Sequence, residues 1–279
     1  MKQFRKMTIP YIVWMSVMIV IPMLFIFMYG ITKEGNSVVT LNFTLDNFAK
    51  FFVEPIYIDV LIRSMRIAVV TTFFCILLGY PAAYAISRCN EKTQTLLVLL
   101  ITLPMWINML VRTYAWMGML QDDGLFNTLL GLIGIGPVKM IHTEAAVVFV
   151  MIYNFIPFMI LQIYTSLTKM DKSYLEAASD LGATPLEAFR KITLPLSLPG
   201  VVSGITLVFL PAVSTFTITS LIGGGKFSNV GNIIETLFLK SGDWNAGSAL
   251  SLILAFIIMF LMYLTKKVDK DPSNGRGRI

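Results

Sequence analysis

The sequence predicts an all-α membrane protein with six transmembrane helices and both termini on the cytoplasmic side. Three observations carry that expectation. Of 279 residues, 56% are hydrophobic and only 14% charged, with a mean hydropathy of +0.75, far from the makeup of a soluble domain. Six stretches contain no Asp, Glu, Lys or Arg: Met7–Thr32, Ile67–Ser87, Thr93–Val111 (continuing past Arg112 to Gln121), Ala145–Thr168, Ile192–Gly225 and Asn245–Thr265. Each can supply the roughly 20 apolar residues that a helix needs to cross the hydrocarbon core, and none alternates like a barrel strand. With six crossings, one side holds 14 Lys/Arg against 7 Asp/Glu and the other 8 against 9. That asymmetry is the positive-inside signature; it accounts for the net charge of +6 without nucleic acid, for which no basic, aromatic-interleaved patch exists.

In chain order, the first run follows Lys2, Arg5 and Lys6; it is too long for a secretory leader, has no clear cleavage site, and is expected to remain as a helix. Residues 33–59 form an outward segment whose "FTLDNFAKFF" reads as a short amphipathic piece at the membrane surface. The second run leaves at "SRCNEK", a short cytoplasmic turn. The third leads into "QDDGLFNTLLGLIGIGPVKMIHTE", where Leu125, Leu129, Leu130 and Ile133 recur at helical spacing. Pro157 and Pro211 interrupt the fourth and fifth runs; such prolines are tolerated where neighbouring helices or a water-lined cavity satisfy the freed carbonyls. The tail 266–279 is expected to fray. No internal repeat or separate soluble domain is evident, so residues 1–279 read as one transmembrane domain. Gly200 and Gly204 suit close helix packing.

The polar stretch "LEAASDLGATPLEAFRKITLPLSLPG", residues 175–200, stands out between greasy runs. Ser173 to Glu176 has the form of a capping box, Gly182 of a left-handed helix stop, and Thr184 to Glu187 of a second box with Pro185 at the first helical position. Residues 173–194 are thus expected to be a cytoplasmic helix–turn–helix whose second arm ends before Pro195. Glu176 and Asp180 share one face of the first arm, and Leu175, Ala178 and Leu181 another. Such a surface suits docking.

Glu176-Ala177-Ala178, then Gly182, then Ile192-Thr193-Leu194-Pro195 match the EAA–G–I-x-LP signature of permease subunits of ABC importers. "LGYPAAYAIS", "LPMWINMLVRTYAWMGML", "GLFN" and "LTKMDKSYLEAASDLGA" resemble, in order, the first permease subunit of spermidine/putrescine importers; relatives moving a phosphonate, a vitamin or iron share much of the pattern. The resemblance implies the type I importer (MetI-like) fold and a bacterial inner-membrane location. It implies a second, homologous permease subunit, two cytoplasmic ATPase subunits that hold ATP and Mg, and an extracytoplasmic binding protein. It also makes the first arm the coupling helix, with Glu176, Ala177, Ala178, Asp180, Gly182, Ile192, Leu194 and Pro195 as the ATPase-coupling residues.

For a polyamine cargo, carboxylates and aromatic faces would serve spaced ammonium groups. The candidates are Asp122, Asp123, Glu235 and Asp243 with Trp106, Tyr114, Trp116, Tyr153 and Trp244. Trp and Tyr also belong to membrane-interface belts, and outward acids also suit docking of a binding protein. Arg112, about 19 residues along the third run, is expected to snorkel or pair with Asp122 or Asp123. "GGGKFS" fails as a phosphate loop because Ser220 and Phe227 stand where Gly and Ser/Thr are required. No nucleotide, cofactor or metal site is therefore expected on this chain: the single histidine, His142, reads as a solvated loop residue, and Cys75 and Cys89 lie roughly 21 Å apart along one helix, beyond disulfide reach. An ion-driven transporter would need carboxylates within its runs, and an intramembrane enzyme a nucleophile–base or metal constellation; the runs supply neither.

Overall fold

The computed structural model describes residues 8–33 and 42–268. Its helices are α1 (Ile9–Gly30), α2 (Asp46–Val53), α3 (Pro55–Ser87), α4 (Glu91–Thr102), α5 (Met109–Leu120), α6 (Leu125–Leu132), α7 (Glu144–Thr168), α8 (Ser173–Asp180), α9 (Pro185–Ala188), α10 (Leu194–Ser214), α11 (Thr217–Gly223), α12 (Val230–Glu235) and α13 (Trp244–Val268). Among the described residues the only extended pairing is an isolated bridge between Thr32 and Phe43. The all-α prediction holds. Lys2, Arg5 and Lys6, and the tail from 269, lie outside the described residues; the expectation of a tail frayed from 266 is corrected to the extent that α13 continues to Val268.

Among the described residues, five helices are long and apolar enough to cross a membrane: Pro10–Gly30, Pro55–Ser87, Glu144–Thr168, Pro185–Ser214 and Trp244–Tyr263. The third run differs from expectation. Instead of one helix from Thr93 to Gln121 there are two halves, Glu91–Trp106 and Met109–Leu132, bent by 89°. Pro104 has no N–H for the ladder, and the chain tightens into a 3₁₀ turn over Leu103–Trp106. Asn108 then restarts the helix, its side chain accepting the Leu110 N–H at 2.8 Å. Likewise the run Ile192–Gly225 is interrupted: α10 stops at Ser214, just past Pro211, and α11 begins afresh at Thr217.

The chain divides into two compact units, Met1–Leu61 with Val230–Met259, and Ile62–Asn229 with Phe260–Ile279. In the first, two asparagines satisfy the carbonyls that α1 leaves open at its C-terminus. Asn47 donates to the carbonyls of Gly30 (3.1 Å) and Thr32 (2.8 Å), and Asn245 to those of Tyr29 and Thr32 (both 2.8 Å). Uncapped carbonyls at that level would be costly, because little water is available to them.

The second unit is built on α7, where Val147, Val150, Met151, Met159 and Ile163 are wholly buried. Lipid tails are as apolar as leucine, so hydrophobicity alone does not hold membrane helices together; close backbone approach does. Gly200 and Gly204 provide it. A Cβ at Gly200 would sit 2.5 Å from the Ser166 Cβ and 2.7 Å from the Gln162 carbonyl, and one at Gly204 would sit 2.5 Å from the Met159 Sδ. α3 packs on the same helix, with Gly79 against Met159 and an Arg66–Glu144 ion pair near its start. The Tyr80 hydroxyl joins the Ser197 Oγ at 2.8 Å.

Gly200→Ala should therefore lower the thermal unfolding midpoint of the detergent-solubilised protein, with an overpacking cost of about 1–3 kcal/mol. Gly118→Ala, where nothing lies within 4 Å of the new methyl, should leave it unchanged or raise it slightly. Equal midpoints for the two variants would contradict this packing.

Candidate functional site: the elbow and an aromatic seam

The 171–195 segment folds as a helical elbow, held by local chemistry. α8 begins at Ser173, but the expected first capping box is absent: Ser173 lies inside the helix, and its side chain makes no cap. Asp171 takes the role instead, its carboxylate accepting the Ser173 N–H at 2.9 Å. That bond holds the Asp171 carboxyl below its ordinary range. Because the folded form prefers the carboxylate, the cap is at full strength above about pH 4 and weakens as pH falls through the lowered value.

α8 ends in a Schellman turn: Ala183 N–H donates to the Ala178 carbonyl (3.0 Å) and Gly182 N–H to that of Ser179 (2.9 Å), with Gly182 at φ +78°. Any residue with a Cβ is strained in that left-handed position. The second box forms as predicted. Thr184 Oγ1 accepts the Glu187 N–H at 3.3 Å, while Glu187 Oε2 accepts the Thr184 N–H at 3.0 Å.

One expectation fails here. The second arm does not end before Pro195; α9 runs through a π-helical turn, Phe189–Thr193, directly into α10, and the whole forms a continuous 30-residue helix, Pro185–Ser214. A proline deprives the ladder of one donor, and the widened turn just ahead of it accommodates the ring without breaking the rod. Phe189 anchors this junction edge-on against Tyr80 and Tyr84 of α3, at 5.9 and 5.3 Å between ring centres.

Of the coupling candidates, Glu176, Ala177, Asp180 and Gly182 are exposed on the elbow, as are Leu194 and Pro195. Ala178 is buried, and Ile192 half-buried. The expected apolar face is only partly turned inward: Leu181 is 88% exposed. A cleft of about 810 Å³ beside the elbow is lined by Arg88, Glu91, Lys172, Glu176 and Thr193, among others.

A second locus gathers aromatic candidates in the same unit. Trp116 stacks on Phe126 (6.1 Å, 8° between planes) and meets Phe149 and Tyr153 edge-on, both at 5.0 Å. Asp122 and Asp123 line a shallow cleft with Asn127, Thr128 and the Gly134–Pro137 turn. Asn127 fixes this loop by donating to the Gln121 and Val138 carbonyls and accepting the Val138 N–H at 2.9 Å. Trp106 and Tyr114 are separately exposed. Glu235, Asp243 and Trp244 belong to the other unit: Asp243 caps α13 by accepting the Ala246 N–H at 2.9 Å, and Trp244 packs against Tyr29 and Phe238. Arg112 makes no ion pair with Asp122 or Asp123, contrary to the pairing considered; its Nε is buried without a partner, as is Asn154 Oδ1 on α7. His142 is exposed as expected, but in a left-handed conformation (φ 59°) with its ring over Gly224.

Apolar spans packed through glycines, with a capped polar elbow continuous with one of them, define a multi-pass membrane protein. The chain belongs to the family described as "Binding-protein-dependent transport system inner membrane component", matched over residues 75–272, as the EAA resemblance indicated. Its relatives include the "Spermidine/putrescine transport system permease protein PotB" of Haemophilus influenzae, 36% identical over 272 residues and covering 96% of this chain and 95% of that protein. The protein of the same name from Salmonella typhimurium is 37% identical over 279 residues, covering 96% and 97%. Among solved structures, a chain of a bacterial alginate ABC transporter in complex with an alginate pentasaccharide-bound periplasmic protein superposes with a TM-score of 0.79 at 17% identity, covering 96% of this chain and 95% of that one. A chain of the inward-facing MetNI methionine ABC transporter gives 0.57 at 16% identity, covering 78% and 97%. These two establish the shared fold. The protein is an inner-membrane subunit of an ABC importer.

The residues that sequence reasoning missed are partners rather than candidates: Phe126 and Phe149 around Trp116, Phe189 at the elbow, and the buried amides Asn47, Asn127, Asn154 and Asn245. Asparagine inside or beside an apolar run was the available signal, since a buried amide must find partners.

Thr184→Ala should cost about 0.5–2 kcal/mol of local helix stability, read as faster amide hydrogen exchange confined to residues 173–193. Protection unchanged there, or lost equally in α7, would contradict the capping account.

Proposed function

We propose that the chain forms, with a second homologous permease, the pathway for uptake of spermidine and putrescine. The observation that carries the cargo is similarity to polyamine permeases along the whole chain rather than within one motif. In this reading both termini and the elbow face the cytoplasm, residues 1–279 act as one permease domain, and the chain binds no cofactor. ATP and Mg reside on two ATPase subunits, and an extracytoplasmic binding protein delivers the cargo.

The elbow is the point of coupling. Exposed Glu176 and Asp180 offer a carboxylate pair to cationic side chains in a groove of the ATPase, while Ala177 and Gly182 keep the approach close. Closure of the ATPases on ATP pushes the elbow, and the continuous Pro185–Ser214 helix carries the push into the membrane. Because α10 is interlocked with α7 at Gly200 and Gly204, both helices move together and open the pathway to alternate sides. For the cargo, Trp116 and Tyr153 present ring faces and Asp122 and Asp123 present carboxylates, matching alternating methylene and ammonium groups; each cation–π contact is worth about 0.5–2 kcal/mol. Trp106, Tyr114, Glu235, Asp243 and Trp244 are the further pathway candidates.

In proteoliposomes holding the assembled transporter, labelled spermidine uptake should require ATP, be competed by putrescine, and be unaffected by collapse of a proton gradient. Competition by a phosphonate instead would overturn the cargo. Glu176→Lys and Gly182→Asp, at normal expression, should abolish uptake and weaken co-purification of the ATPases; retention of both properties would refute the coupling role. Asp122→Asn with Asp123→Asn should raise the KM for spermidine several-fold while leaving the ATPases bound.

A further inference from the structure

We propose that the exposed flank of α2 is a membrane-surface anchor, entering the headgroup–acyl boundary of the leaflet in which α1 ends. α1 has 22 residues and is about 33 Å long, enough to cross a hydrocarbon core of about 30 Å, so Gly30 lies at the boundary. α2 is tied to that level by direct hydrogen bonds. Asn47 donates to the Gly30 and Thr32 carbonyls, Thr44 N–H donates to the Ile31 carbonyl at 2.8 Å, and Lys33 N–H donates to the Asn42 carbonyl at 2.9 Å.

With its depth fixed, the exposure pattern of α2 becomes informative. Asn47 and Phe51 point inward and are buried. The opposite flank is not polar, as a water-facing flank would be. It carries Ala49, Phe52 and Val53, and Phe43 and Leu45 precede it; the four large side chains among these are 69–77% exposed. Asp46 and Lys50, four residues apart, sit together along one edge of this flank. An inward flank fixed to protein by Asn47 and Phe51, an apolar outward flank and a charged edge between them are what a short helix needs to lie in a membrane surface, with the outward flank about 5–10 Å into lipid. Phe52 is held in that pose by an edge-on contact with Phe51, whose ring stacks in turn on Tyr57. The occupant is lipid because the flank continues the boundary at which α1 emerges.

Nitroxide labels at Phe52→Cys and Val53→Cys, in a chain with Cys75 and Cys89 replaced by Ala, test this in the assembled transporter reconstituted into phosphatidylethanolamine/phosphatidylglycerol vesicles. Collision with oxygen should exceed collision with a water-soluble nickel chelate at both positions, and the order should reverse at Asp46→Cys. Dominance of the chelate at 52 and 53 would place the flank in water and overturn the proposal. Shielding from both reagents would mean that a protein covers it, which overturns the proposal equally. Should the cysteine variants fail to assemble, Phe52→Trp with brominated lipids asks the same question: quenching beyond that of the parent protein supports insertion, and none refutes it.

Discussion

The close approach of α10 to α7 is the contact on which the second unit depends. In lipid, two leucine-rich helices gain little by meeting, because the solvent they leave is as apolar as the surface they find. Gly200 and Gly204 change that by bringing backbone within reach of Ser166, Gln162 and Met159, where dispersion contacts are dense. The cost is intolerance: no side chain fits at Gly200 without displacing a neighbouring backbone. A helix pair locked this way behaves as one rigid body.

The elbow draws its significance from being joined to that pair without a break. Its own shape is set by three devices acting within a few residues: the Asp171 cap, the Gly182 turn and the Thr184–Glu187 box. None requires burial, so the elbow keeps its form while presenting Glu176 and Asp180 outward. The π-helical turn at Phe189–Thr193 then carries the rod past Pro195. The helix is continuous there and is clamped by Phe189 against Tyr80 and Tyr84, which makes the junction stiff.

Much of this was legible in the sequence, for a physical reason. Spans are declared by the absence of charge over some 20 residues, and the elbow by capping residues whose chemistry is local. What was not legible depended on competition between neighbours. Ser173 looked like a cap until Asp171, two residues earlier, offered a better acceptor. The third run looked continuous because apolarity cannot register the combined effect of Pro104 and Asn108, which turns it by 89°. Pro195 looked like a stop because the π-helical detour leaves no mark in composition. Trp116 and Tyr153 were recognisable as types, but their meeting depends on how α5 and α7 pack, and no spacing within either helix encodes that. Arg112, expected to snorkel or to pair with Asp122 or Asp123, forms no ion pair with either, and both carboxylates line the cleft beside Asn127.

The end of α1 has a further consequence. Its open carbonyls are met by two neutral amides, Asn47 and Asn245, rather than by lysine or arginine. A cationic cap would draw on the helix dipole and fade as dissolved ions screen it, within a Debye length of about 8–10 Å. An amide has no net charge to screen and no proton to lose. That junction should hold equally in dilute and concentrated media and across the whole physiological acidity range, a useful indifference for a seam at the edge of a membrane.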